Sequence, residues 1–132
     1  MAAHFTHLTF TVSNFERSIV FYRDICEMVV VRDRREEGGS TVWLGPRGAD
    51  KANPPFVFVI EEGEVRDRLD HLAFQCDTRD EIEVKANLGK ALNALHCEPR
   101  DVGGSVGYYT MLRDPDGHIV EFTYGQPIKG IH

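Results

Sequence analysis

Two six-residue stretches, "HLTFTV" at 7–12 and "HLAFQC" at 71–76, constrain this 132-residue chain more than any other feature. Both begin with histidine and both alternate strictly. His7, Thr9 and Thr11 fall on one face of the first, against Leu8, Phe10 and Val12; His71, Ala73 and Gln75 oppose Leu72, Phe74 and Cys76 in the second. A two-residue period marks a half-buried strand. Each stretch runs directly into a helix signal. Ser13 and Glu16 form an S-x-x-E capping box ahead of an apolar stripe at Phe15, Ile19 and Tyr22, with Ser18 between them. In the second half Asp77 or Thr78 caps the helix, Glu81 completes a box from Thr78, and Ala86, Leu88, Ala91, Leu92 and Leu95 supply the buried side.

Three β-like stretches follow the first helix, at 28–32, 40–44 and 56–60, separated by "DRREEGG" and "GPRGADKANPP". Three also follow the second. These are a short strand near 96–100, one across 108–112, and 118–124 after the turn "RDPDG", where Pro115 presets φ and Gly117 tolerates a positive one. Both halves thus read as strand, helix and three strands, as a tandem duplication would produce. The expected architecture is α+β, one domain over 1–132 built of module one at 1–62 and module two at 70–126. The charged segment between them is too short for a flexible tether.

Charge and cysteines narrow the function. Twenty-one acidic against fifteen basic residues leave a net charge of −6, which repels polyanions and argues against nucleic acid as a partner. The one basic cluster, "VRDRR", is broken by Asp33 and followed by Glu36 and Glu37, so it reads as a solvated loop. Cys26, Cys76 and Cys97 fit neither a zinc ribbon nor a redox pair and are read as free, buried thiols. No apolar run is long enough to span a membrane, and the N-terminus lacks the basic-then-apolar order of a signal peptide. A cytoplasmic location is therefore expected.

Glu121 lies in the apolar strand "HIVEFTY", where a lone carboxylate is costly unless paired. His7 and His71 occupy matching first-strand positions on the more polar faces of their strands. Two imidazoles and one carboxylate, with open positions left over, make a set suited to a divalent transition metal, and Thr9, Thr11 and Gln75 offer donors to orient it. Each of the three residues has an ordinary structural explanation singly, but none accounts for the recurrence of histidine in a duplicated unit. His118, three residues from Glu121, points to the opposite face and reads as a turn-stabilising residue. Tyr108 and Tyr109 alternate, so one of them shares the polar face.

In "HLTFTVSNFERSIVFYRDI", "LDHLAFQC" and "LRDPDGHIVEF" the chain resembles the vicinal oxygen chelate superfamily, which groups glyoxalase I, extradiol dioxygenases, fosfomycin-resistance thiol transferases and bleomycin-resistance proteins. The resemblance implies two βαβββ modules closing a half-open mixed-sheet barrel. It places metal ligands on His7, His71 and Glu121, holding Fe, Mn, Ni or Zn that acts as a Lewis acid on a small substrate with vicinal oxygens. Lyase, isomerase or ring-cleaving dioxygenase chemistry follows from it, with Thr9, Tyr108 and Tyr109 as candidate catalytic residues, and so does a homodimer. Departures narrow the choice. Where glyoxalase I has a fourth ligand, the matching residue is read as Phe58; Glu61 or Glu62 would serve only in another register. The lysine of the thiol transferases is replaced by Asp101, beside Arg100, although Thr9 and Ser105 match polar positions of that group. The alternative is a metal-free binding module of the bleomycin-resistance type, lined by Trp43, Phe58 and a tyrosine.

Overall fold

A computed structural model describes residues 3–131. The chain divides between Arg66 and Asp67 into two compact units. The first contains β1 (His7–Val12), α1 (Phe15–Asp24), β2 (Val29–Asp33), β3 (Thr41–Gly45) and β4 (Val57–Glu62). Its sheet runs β1-β4-β3-β2, with β1 parallel to β4 and the other pairs antiparallel. The second contains β5 (Leu72–Gln75), α2 (Asp80–Ala91), β6 (Leu95–Gly103), β7 (Gly107–Arg113) and β8 (Ile119–Tyr124). Its order is β5-β8-β7-β6, with β5 parallel to β8. Element order and strand order repeat. The duplicated βαβββ reading holds, and the fold is α+β.

In the first unit Phe10, Tyr22 and Phe58 meet edge to face with ring centroids 5.7–6.3 Å apart, so α1 lies over the Leu8/Phe10/Val12 side of the sheet. Helix α1 starts one residue later than the sequence suggests. Asn14 is its cap, accepting from the Arg17 N–H at 3.0 Å, while the Ser13 hydroxyl takes the Arg17 guanidinium. The expected Ser13–Glu16 box does not form because a tertiary carboxylate replaces it. Glu62 at the end of β4 accepts from the Phe15 N–H at 2.9 Å, and Glu16 pairs with Arg35 instead.

In the second unit the Thr78–Glu81 box does form: the Thr78 hydroxyl accepts from the Glu81 N–H, and the Glu81 carboxylate accepts from the N–H groups of Thr78 and Asp77. The buried side of α2 differs from expectation. It consists of Ile82, Lys85, Ala86 and Gly89, whereas Leu88 and Leu92 are 37% and 57% exposed and Ala91 is exposed too. Close packing is the cause. A Cβ on Gly89 would stand 2.8 Å from Leu112 Cγ, so the glycine lets the helix settle onto β7, and Lys85 caps the Phe122 ring at 5.2 Å.

The basic segment after β2 is a single 3-10 turn, Arg34–Glu37, in which Arg32 binds Glu37 and Arg35 binds Asp33. The side-chain hydrogen bond from Arg35 holds the Asp33 carboxyl below the usual carboxylate range. All three cysteines are free; Cys26 is buried as expected, whereas Cys76, just past β5, and Cys97, on β6, are only half-buried. Among the described residues no helix is long and apolar enough to cross a membrane.

Candidate metal centre

The loop into β5 is fixed by the turn between β7 and β8. Asp114 Oδ1 accepts from the N–H groups of Asp116 and His118, both at 2.9 Å, and the Asp114 N–H donates to the His118 carbonyl. Gly117, at φ +86°, supplies the conformation that this turn requires. The His118 side chain is fully buried, and its Nδ1 accepts from the Leu69 N–H at 3.0 Å. Arg68 Nε donates to the Asp116 carbonyl at 2.8 Å. The backbone just ahead of His71 is thereby tied to the turn that precedes Glu121.

Glu121 is the third residue of β8, flanked in register by Ala73 on β5 and Met111 on β7. It is 6% exposed. His71 Nε2 lies 3.6 Å from Glu121 Oε1, too far for a hydrogen bond. The other ring nitrogen, Nδ1, is 2.7 Å from Asp70 Oδ1, a contact that orients the ring with Nε2 toward Glu121. Gln126 Nε2 donates to the second carboxylate oxygen, Oε2, at 3.1 Å, and the Gln126 carbonyl accepts from Gln75 at 3.3 Å. One oxygen is held by protein and the other is offered to His71.

This donor pair fits a divalent ion. His71 Nε2 and Glu121 Oε1, 3.6 Å apart, stand near enough together that both would serve as ligands of a single ion. A cation between two electron-rich atoms would also neutralise a carboxylate that has almost no access to water. Within the second unit no third His, Cys, Asp or Glu among the described residues joins the pair to form a metal-holding group.

His7 stands on β1 of the first unit. Its Nδ1 contacts the Thr6 hydroxyl at 2.9 Å, leaving Nε2 on the exposed side with Thr9. Register corrects one expectation. In the second unit Glu121 opposes Ala73, two residues after His71; in the first, the residue opposite Thr9, two after His7, is Val59. The position matching a fourth ligand is thus Val59, not Phe58, because a one-residue slip moves a side chain to the other face. Phe58 packs under α1, while Trp43 pairs with Val59 on the His7 side, with the Arg32 guanidinium 5.3 Å above its ring. Glu62 is occupied at the start of α1. Glu61 shares the His7 face but sits opposite Thr11, two residues farther along.

Of the two tyrosines, Tyr109 pairs with Thr123 and shares the Glu121 face. Tyr108 turns to α2, where its hydroxyl binds Glu83 and Arg79 covers its ring. The contacts of Asp70 and Gln126 escape sequence reasoning. Asp70 is adjacent to His71 and is readable in hindsight, but Gln126 lies in an aperiodic tail that carries no signal.

The sequence profile of the Glyoxalase/Bleomycin resistance protein/Dioxygenase superfamily matches residues 4–122. The chain belongs to this superfamily. Among superfamily relatives, the uncharacterized protein PA2024 of Pseudomonas aeruginosa is 35% identical over 97% of this chain and 93% of its own length. The metallothiol transferase FosB of Staphylococcus epidermidis is 28% identical over 90% of this chain and 80% of its own. The crystal structure of the fosfomycin resistance protein FosX from Listeria monocytogenes, complexed with Mn(II), superposes with a TM-score of 0.73. It covers 96% of this chain and 94% of that one at 20% identity, a likeness of fold.

Proposed function

We propose that the protein is a divalent-metal-dependent enzyme whose ligands are His7, His71 and Glu121. The observation that carries the proposal is the buried Glu121 carboxylate with one oxygen facing Nε2 of His71 at 3.6 Å. Asp70 orients the ring of His71, and Gln126 holds Glu121 so that Oε1 remains for the ion. Nitrogen and carboxylate donors suit Fe, Mn, Ni or Zn; FosX, with the same fold, was crystallised with Mn(II). When bound, such an ion acts as a Lewis acid toward vicinal oxygens of a small substrate and stabilises the negative charge that develops on them. Thr9 on the His7 face and Tyr109 on the Glu121 face supply hydroxyl donors to the substrate. Val59, where a fourth ligand would stand, leaves that position apolar and favours a three-ligand centre open to substrate. Lyase, isomerase and ring-cleaving dioxygenase reactions all fit such a centre, and the active form is proposed to be a homodimer.

The test is turnover of vicinal-oxygen substrates (hemithioacetals, epoxides and catechols) by protein loaded in turn with Mn(II), Fe(II), Ni(II) and Zn(II). Activity in one metal form, abolished by a chelator and by Glu121→Gln, supports the proposal. Binding of small aromatic compounds that survives both treatments, without turnover in any metal form, supports the metal-free module instead.

A further inference from the structure

The imidazole of His118 does more than complete the β7–β8 turn. That turn is closed by the main chain and Asp114: the His118 N–H donates to Asp114 Oδ1 at 2.9 Å, and the His118 carbonyl accepts from the Asp114 N–H at 2.8 Å. The side chain takes no part in those two bonds. It is fully buried and reaches the segment that enters β5, where Nδ1 accepts from the Leu69 N–H at 3.0 Å. A backbone N–H can only donate, so Nδ1 carries no proton in this contact. The parallel β5–β8 ladder begins at Leu72–Val120 and continues with Ala73–Glu121. Carried back at the same offset, His118 falls level with Asp70, so its bond to Leu69 holds the two strands together just beyond the end of their ladder.

Asp70 and His71 are the only residues between these two attachments. The three residue steps from Leu69 to Leu72 span at most about 10–11 Å. With both ends fixed, the His71 backbone has little room to shift against Glu121, which follows His118 by three residues on the neighbouring strand. A second contact acts at the same place. Arg68 Nε donates to the Asp116 carbonyl at 2.8 Å, and the side chain lies so close to Gly117 that a Cβ there would stand 2.9 Å from Nε and 3.3 Å from Cδ. We infer that His118 is a positioning residue of the centre: by accepting from Leu69 it sets the approach of His71 Nε2 to Glu121 Oε1. This rests on the metal-centre reading only for what the two donors hold. Donors already held 3.6 Å apart need little ordering when an ion binds. Coupling is reciprocal, so an ion held by His71 and Glu121 tightens the Leu69–His118 contact in turn.

The experiment makes three measurements on the full chain without denaturant: Mn(II) affinity by electron paramagnetic resonance, hydrogen exchange at 69–71 with and without Mn(II), and the NMR signal of the His71 ring Cε1–H without metal. His118→Asn places an amide oxygen where Nδ1 stands, whereas His118→Leu offers no acceptor. His118→Leu is expected to shift the His71 signal, speed exchange of the Leu69 amide and weaken Mn(II) binding by about tenfold, and His118→Asn to recover most of each. Arg68→Met, a change at an exposed residue, should move the same readouts in the same direction by less. In the wild type, Mn(II) should slow exchange at Leu69. An unmoved His71 signal in His118→Leu, an unchanged Mn(II) affinity there when the wild type binds, or no recovery in His118→Asn overturns the assignment. Should His118→Leu not fold, a His71 signal near wild type in His118→Asn and shifted in Arg68→Met supports it, and wild-type readouts in Arg68→Met overturn it. Failure of the wild type to hold Mn(II), with the His71 signal still following the acceptor at position 118, counts against the metal centre and not against His118.

Discussion

Replacing Gly89 with alanine sets two known effects against each other. In an exposed helix interior the change stabilises by about 1 kcal/mol, because alanine restricts the unfolded backbone and glycine does not. In α2 the new Cβ would lie 2.8 Å from Leu112 Cγ and 3.2 and 3.3 Å from its two Cδ atoms. Leu112 is fully buried and held in register between Leu95 and Val120, so it has little room to retreat. Overpacking of this kind costs about 1–3 kcal/mol. The overlap wins, and Gly89→Ala should destabilise the protein by about 1 kcal/mol, or about 3–5 °C in Tm for a chain of this size. Urea unfolding followed by circular dichroism, with the m-value compared, measures it. Leu112→Ala alone should cost about 2–5 kcal/mol, and the double variant less than the sum, since the new methyl enters the vacated space. A stabilised Gly89→Ala, or strict additivity in the double variant, would refute the close-packing explanation for the buried face of α2.

Four further outcomes follow from the same contacts. Glu62→Ala should remove the acceptor for the Phe15 N–H and cost about 1 kcal/mol, as loss of a helix cap does, measurable by the same urea titration. His118→Leu leaves the Leu69 N–H without its acceptor; a loss of about 1–3 kcal/mol is expected, with faster hydrogen exchange at 68–71. Asp33 has a depressed carboxyl pKa, so its stabilisation is complete above the unfolded value near 3.8 and is lost as pH falls through the lower folded value. Asp33→Asn should therefore flatten the acid limb of the stability–pH curve, and an unchanged limb would show that the Arg35 contact contributes nothing. Gln126→Ala should weaken Mn(II) binding measurably while leaving the urea midpoint nearly unchanged, and Gln126→Asn, too short to reach Oε2, should not rescue it.

The parts of this fold readable in sequence are those written in local chemistry. Strict alternation identified β1 and β5, and the turn residues Asp114, Pro115 and Gly117 located the β7–β8 hairpin, because period and turn type are set within a few residues. The capping box at Thr78 survived for the same reason. Tertiary contacts account for the differences. Asn14 displaced Ser13 as cap once Glu62, far away in sequence, reached the helix start. The buried face of α2 was set by a missing side chain at Gly89, whereas hydropathy favours Leu88 and Leu92. Phe58 and Val59 exchanged faces through a one-residue register choice that "FVFVI" leaves open, since both faces of that run are apolar. In the candidate site, histidine and glutamate types were visible, but Asp70 and Gln126 are surface-type residues whose positions only the folded backbone specifies.

Metal stoichiometry is the most direct test of the central claim. Protein purified without added metal or chelator, then titrated with Mn(II) and read by electron paramagnetic resonance, should take up one ion per chain. His7→Ala, His71→Ala and Glu121→Gln should each lose that uptake while keeping the wild-type circular dichroism spectrum. Uptake retained in His71→Ala and Glu121→Gln, or no uptake by the wild type with Mn(II), Fe(II), Ni(II) or Zn(II), would contradict the metal centre.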